Sequence, residues 1–283
     1  MGDDLPAGSR IAIVAGGGNL PQLLALHLAE RGHHVDVIGL ANEAEMQTPT
    51  LRALGDVEGI LRDFEKLGST HAVLVGWVRQ RPRISEAKIG WRTLRALPAL
   101  VRGLYKGDDG MLRAAVGAIE ARGVKVVGVH QLWPELVAKE GRIGGPKPTS
   151  AELEGAALGQ RAAKAVGSFD IGQALVVAGR HIVAVEGLEG TDAMVRRVGD
   201  LRRSGRLRAA APSGVLVKVA KPDQETRVDL PSIGPDTVRS CQEAGLSGIV
   251  VEAGRSLVLE RDATVAAAGD ANIFVYGLAF DEA

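Results

Sequence analysis

The feature that most constrains this chain is its opening. Residues 11–15, Ile-Ala-Ile-Val-Ala, form a short apolar run broken at once by Gly16, Gly17 and Gly18. Five apolar residues without polar alternation read as a strand buried on both faces. Asn19 stands where a helix N-cap belongs, and Pro21 where a first helical turn tolerates proline. Leu20, Leu23, Leu24 and Leu28 then recur at helical spacing, and Gly32 ends the helix. Residues 35–40 read as a second strand. Strand, glycine turn, helix and strand together imply a parallel sheet with helices on its faces.

The alternation continues. A helix over 60–67 precedes a strand over 71–78, and a helix over 111–122 precedes a strand over 124–129. From 131 to 150 periodicity disappears, and Gly141, Gly144, Gly145, Pro146 and Pro148 cluster there. This predicts a Rossmann-like parallel-sheet domain over 1–131, a linker over 132–149 and a mixed α/β domain over 150–283. In the second half a helix fits 151–166. Runs at 174–178 and 181–186 flank Gly179 and Arg180 as a hairpin. Strands fit 214–220, 248–252, 256–259 and 273–276, with a helix after Pro235.

Charge excludes several roles. Lys plus Arg number 34 and Asp plus Glu number 34, so no global field draws nucleic acid or anionic membrane. Aromatic residues are 3%, too few for a nucleic-acid stacking platform. The clusters Arg79, Arg81, Arg83 and Arg202, Arg203, Arg206, Arg208 read as solvated surface. Cys241 is the single cysteine, so neither an internal disulfide nor a cysteine-based zinc site exists. That suits a reducing cytoplasm, with Cys241 buried in a helix over 236–244. The acidic start is no signal peptide, and the first apolar run is too short to cross a bilayer. A cytoplasmic protein is expected, meeting lipid only peripherally.

Several segments carry candidate chemistry. The turn at Gly16, Gly17 and Gly18 exposes backbone N–H groups at a helix start, which makes an anion site or simply a tight turn. It departs from the dinucleotide fingerprint. Pro21 stands near its third glycine, and Asp36 lies inside the second strand instead of at its end. Asp108 and Asp109 would hold a metal or a ribose, or cap the following helix; capping is the reading favoured locally. Residues 170–173, Asp-Ile-Gly-Gln, and 189–192, Glu-Gly-Thr-Asp, either bound regular elements or line a cleft.

The densest segment is 217–237. Lys218, Lys221 and Arg227 stand there with Asp223, Glu225, Asp229 and Asp236, between prolines that stiffen the loop. Pyrophosphate hydrolysis needs such a set: carboxylates to hold a divalent cation and orient water, and cations to neutralise phosphate oxygens. The alternative is a solvated loop. The six histidines form no metal-binding pattern, and no Gly-x-Ser-x-Gly elbow is present.

At these motifs the sequence resembles the LpxI family of UDP-2,3-diacylglucosamine diphosphatases. The matching segments are 15–21, 106–109, 170–173, 189–194, 221–234 and 244–254, in the expected order. The resemblance implies hydrolysis of UDP-2,3-diacylglucosamine to UMP and 2,3-diacylglucosamine 1-phosphate (lipid X), a step of lipid A synthesis. It implies water attack on the sugar-side phosphorus, a need for Mg²⁺ or Mn²⁺, a homodimer, and substrate held between two domains. Asp229 matches the acid essential in the family.

On that basis Asp229 is expected to bind Mg²⁺ or orient water. Glu225, as a further metal ligand, and Asp192 would complete the site. Lys218, Lys221 or Arg227 would offset charge on the leaving UMP. Gly16, Gly17, Gly18 and Leu20 would hold one end of the substrate, with Asp108, Asp109, Gln173 and Thr191 as further binding residues. Two other readings stand beside this one: a catalytically silent nucleotide-sugar binding protein, and a nicotinamide-dependent oxidoreductase resting on the opening unit alone.

Overall fold

The computed structural model describes residues 5–79, 107–208 and 212–280. Arg81, Arg83, Lys106 and the side chain of Asp108 lie outside the described part. The chain divides into two compact units: Met1–Pro134 with Glu225–Asp229, and Glu135–Gln224 with Leu230–Ala283.

In the first unit β1 (Arg10–Ala15), β2 (His34–Leu40), β3 (Thr50–Arg52), β4 (His71–Val75) and β5 (Lys125–Val126) form one sheet in the order β3-β2-β1-β4-β5. Every pairing is parallel. Central β1 is buried from Ile11 to Ala15, as an unalternated run on a two-sided sheet must be. Helix α1 (Leu20–Glu30) follows the glycine turn, with proline in its first turn. Helix α2 (Val57–Leu67) is capped by the Asp56 carboxylate, which accepts from the Gly59 N–H at 3.2 Å, and it ends at left-handed Gly68. Helix α3 (Gly107–Glu120) begins four residues earlier than its apolar spacing suggests, so Asp109 lies within its first turn. Ala12, Val14, Ile38, Leu61, Phe64, Val116 and Ile119 form the core.

Two details depart from the expectation. β3 is a short polar edge strand that leaves no hydrophobic run. β5 stops after two residues, because extended Gly128 opens the short helix α4 (Val129–Leu132).

The second unit contains β6 (Gly141–Gly144), α5 (Ser150–Gly167), β7 (Ala174–Ala178), β8 (His181–Val185), α6 (Gly190–Arg203) and β9 (Val215–Lys218). It continues with β10 (Ser232–Ile233), α7 (Pro235–Glu243), β11 (Gly248–Glu252), β12 (Leu257–Val258), α8 (Arg261–Asp270) and β13 (Phe274–Leu278). Six strands form a mixed sheet, β6-β13-β11-β9-β7-β8, and β10 pairs separately with β12. β8, β9, β11 and β13 run in one direction; β6 and β7 run against them.

Alternation distributes this sheet between two cores. Leu216, Val176, Ile249 and Val251 face one cluster with Met194, Val198 and Val238. Val215, Val217, Leu175 and Val250 face the other, with Ala156 and Ala163. Cys241 is fully buried, and burial pushes its thiol well above the ordinary range.

The stretch read as a linker is largely structured. Gly141–Gly144 is the edge strand β6. Thr149 and Glu152 cap α5 reciprocally, at 3.2 Å and 2.8 Å. A short edge strand built on glycine carries no apolar signature, which is why the sequence concealed it. Residues 225–229 also depart from the expected division, since they pack with the first unit.

Candidate functional site

In the first unit the glycine turn lies at the carboxyl end of β1. The chain runs outward through β2 and β3 and then returns to β4 on the other side of β1, so the turn sits at the switch point of the sheet. Its N–H groups are already engaged. Gly16 donates to the Val75 carbonyl at 2.8 Å, and Gly17 to the Trp77 carbonyl at 2.8 Å. Gly18 donates to the Glu45 carboxylate at 3.2 Å. A Cβ on Gly17 would overlap the Trp77 ring, so the residue must be glycine for that ring to approach. Leu20 is half-buried at the first position of α1.

Residues 225–229 make a tight turn on the first unit. The N–H groups of Val228 and Asp229 both return to the Glu225 carbonyl, at 3.1 and 3.0 Å. Val228 packs on the first unit's core. Arg227 donates to Glu225 through Nε and one terminal nitrogen, each at 2.8 Å, and through the other to Glu120 at 2.7 Å. The guanidinium holds the Glu225 carboxyl below the ordinary carboxylate range, and the pair pushes Arg227 further up. Asp229 is half-buried. Nearby, Gly128 lies against both the His130 ring and the Arg227 backbone. Among the described residues His130 Nδ1 is buried without a hydrogen-bond partner, and burial lowers its pKa.

In the second unit the carboxyl ends of β9 and β11 lie beside the start of β7 and the end of β8, because β7 is antiparallel to both β8 and β9. Four separated segments meet there. Lys221 pairs with Asp170, and its N–H donates to Gln224 Oε1 at 2.8 Å. Gln224 donates through Nε2 to Gln173 Oε1 at 3.2 Å. The Gln173 N–H donates to Glu186 at 2.9 Å, and the Thr191 hydroxyl donates to the other Glu186 oxygen at 2.6 Å. A Cβ on Gly172 would overlap the Glu186 carbonyl, which fixes glycine in this turn.

Beside this chain of bonds, Lys164 donates to both oxygens of Glu252 at 2.8 Å, and the Ala220 N–H donates to Glu252 at 2.9 Å. Lys218 donates to the Ser232 carbonyl at 3.0 Å. Glu186, Lys218, Lys221, Gln224 and Glu252 are all buried.

The expected residues therefore fall into separate groups. Gln173, Thr191 and Lys221 share one network in the second unit, while Lys218 bonds to the Ser232 carbonyl. Glu225, Arg227 and Asp229 share the turn on the first unit, and Gly16, Gly17, Gly18 and Leu20 line its glycine turn. Asp192 is exposed in the first turn of α6, and Asp109 is buried in α3. Among the described residues no three of His, Cys, Asp and Glu come together as a metal cluster. Glu225 in particular has both oxygens on Arg227.

Sequence reasoning missed Glu45, Trp77, Lys164, Glu186, Gln224 and Glu252. Two of them left a signal: Glu186 and Glu252 each close an apolar run and are themselves buried, where a carboxylate needs a partner. No helix among the described residues is long and apolar enough to cross a membrane.

Comparison with known proteins agrees with the motifs. The LpxI N-terminal domain model matches residues 10–136, and the LpxI C-terminal domain model matches residues 139–276. A protein of Caulobacter vibrioides named UDP-2,3-diacylglucosamine pyrophosphatase LpxI is 38% identical over 276 residues, covering 95% of this chain and 97% of that protein. A solved structure described as an NAD-dependent epimerase/dehydratase of Methylobacillus flagellatus aligns over 54% of this chain and 50% of its own at 15% identity. Its TM-score is 0.25, and at that score it says nothing about fold or ligand.

Proposed function

The chain belongs to the LpxI family, and from that premise we propose that it hydrolyses the pyrophosphate of UDP-2,3-diacylglucosamine, giving UMP and 2,3-diacylglucosamine 1-phosphate (lipid X) for lipid A biosynthesis. The observation that carries this reading is the convergence of three separated motif segments, bridged by Glu186, on one polar network in the second unit. Support also comes from the Caulobacter vibrioides relative, whose name states this substrate and which aligns along nearly its whole length.

In the proposed reaction a water oxygen bonds to the sugar-side phosphorus, the bond from that phosphorus to the bridging oxygen breaks, and UMP leaves with that oxygen. Negative charge grows on the departing UMP, so fixed cations there favour the transition state over the ground state. Lys218 and Lys221 are suited to this. An ammonium has three donors, and the Ser232 carbonyl takes one of those on Lys218. Thr191 and Gln173 are held by Glu186 in one orientation, fit for hydrogen bonds to sugar or phosphate.

The divalent cation of the family, Mg²⁺ or Mn²⁺, fits one part of the donor set. Glu225 is poorly suited, since Arg227 holds both its oxygens. Asp229, half-buried in the same turn, is suited, because Mg²⁺ is commonly bound through one or two carboxylates together with substrate phosphates. When bound, the ion would neutralise phosphate charge. We further place the enzyme in the cytoplasm as a homodimer, touching the inner face of the inner membrane peripherally to reach its acylated substrate.

The test is UMP release from UDP-2,3-diacylglucosamine, with Mg²⁺ and with EDTA, for wild type and Asp229→Ala. Release needing both metal and Asp229 is expected, with a loss on the order of 10³-fold in the variant. No release from folded wild type at any metal concentration would replace this reading by that of a silent nucleotide-sugar binding protein.

A further inference from the structure

The switch-point crevice of the first unit has the wrong electrostatics for a phosphate. Its Gly18 N–H already donates to a carboxylate, Glu45, at 3.2 Å. A second carboxylate, Glu43, is buried three residues past the end of β2 and accepts from the Arg79 N–H at 3.0 Å. A phosphate placed at the turn would lie against Glu45 and would have to displace it. Ribose hydroxyls, by contrast, are donors that carboxylates accept, and an acid just beyond the second strand of such a sheet is well placed for a ribose diol.

The crevice also presents a flat surface. Trp77 rests on Gly17, which lacks the Cβ that would bar it, and the residue is 39% exposed. The Arg79 guanidinium lies over the ring, 4.1 Å from its centroid. That side chain is 70% exposed, and its approach to Glu45 is only 3.7 Å. A planar group therefore already covers the ring, held loosely enough to yield its place to another. A nucleobase stacks on an indole in the same way.

We propose that this crevice, formed by Gly18, Glu43, Glu45 and Trp77, binds the neutral nucleoside end of a nucleotide substrate, with the base on Trp77 and the ribose hydroxyls on the carboxylates, and does not bind its pyrophosphate. The inference rests on the reading of the substrate as a uridine diphosphate sugar, and assigns the uridine to the glycine turn of the first unit.

The test is equilibrium dialysis of labelled uridine and UMP against the full chain, with inorganic pyrophosphate as competitor. Uridine should bind, and inorganic pyrophosphate should not compete with it. Trp77→Ala should weaken uridine at least tenfold and Trp77→Phe far less. Glu45→Gln should weaken uridine without strengthening UMP. Far-ultraviolet circular dichroism checks that each variant is folded, and the exposed Glu45 variant keeps the test alive if the tryptophan variant does not fold.

Uridine binding unchanged in Trp77→Ala would overturn the proposal. So would a tenfold gain in UMP affinity in Glu45→Gln, which would mean that phosphate displaces the carboxylate. UMP release from the lipid substrate by a wild type that binds no uridine would sink this inference alone. Uridine binding without any hydrolysis would sink the catalytic reading alone.

Discussion

The two units each present polar groups at the carboxyl ends of parallel strands, but they hold their charges differently. In the first, Glu45 and Arg79 are 54% and 70% exposed and stand 3.7 Å apart. In the second, Lys164 and Glu252 are 11% and 4% exposed and meet at 2.8 Å, with the buried Lys221 paired to Asp170 beside them. Exposed charges at such a distance are worth little to stability and exchange partners freely. Buried ones are fixed, because separating them strands a charge in a low dielectric. The charges of the first crevice can therefore exchange partners, and those of the second are kept in one geometry.

The comparison can be broken most directly at the buried pair. Lys164→Met leaves Glu252 with the Ala220 N–H and Arg255 at 3.8 Å. It should cost about 3–5 kcal/mol, near the lower figure because those partners remain. Adding Glu252→Gln should restore most of the loss. Urea unfolding reads both, and a change below about 1 kcal/mol in the single variant would end the claim that buried charge organises this end of the sheet.

A smaller effect is expected at Glu186. Glu186→Gln presents an amide that can accept from only one of its two partners, the Gln173 N–H or the Thr191 hydroxyl. The loss should be about 1–3 kcal/mol, again by urea unfolding. Unchanged stability would show that the network reorganises around the amide.

The smallest effect belongs to the turn on the first unit. The folded Glu225 carboxyl is held low by Arg227, so its contribution is complete above the unfolded value of about 4.3 and fades as pH falls through the lowered folded value. Arg227→Ala removes that contribution. The variant should be less stable than wild type by about 1 kcal/mol or less at neutral pH, since Arg227 is a third exposed. The gap should close below about pH 4. A gap independent of pH would assign the loss to packing.

Much of this architecture was legible in local pattern. Unalternated runs marked β1, β7 and β11, and the hairpin of β7 and β8 followed from two runs around Gly179 and Arg180. Apolar periodicity marked α1, alanine-rich composition marked α5, and the order of the motifs pointed to the family. These features depend on neighbours within a few residues, whose side chains alternate or recur with the geometry of strand and helix. The edge strands β3 and β6 were illegible, since edge strands need no apolar face.

The sequence by itself determined which segments would be buried strands, which would be helices, and which residue types carry the candidate chemistry. Only tertiary structure decided their partners. It packed residues 225–229 with the first unit, where Val228 finds a core. It gave the Gly18 N–H to Glu45, and it made Glu186 the bridge between Gln173 and Thr191. The reason is physical: a buried carboxylate or backbone N–H takes whichever partner the fold brings within about 3 Å, and that choice is written in no local period of the chain.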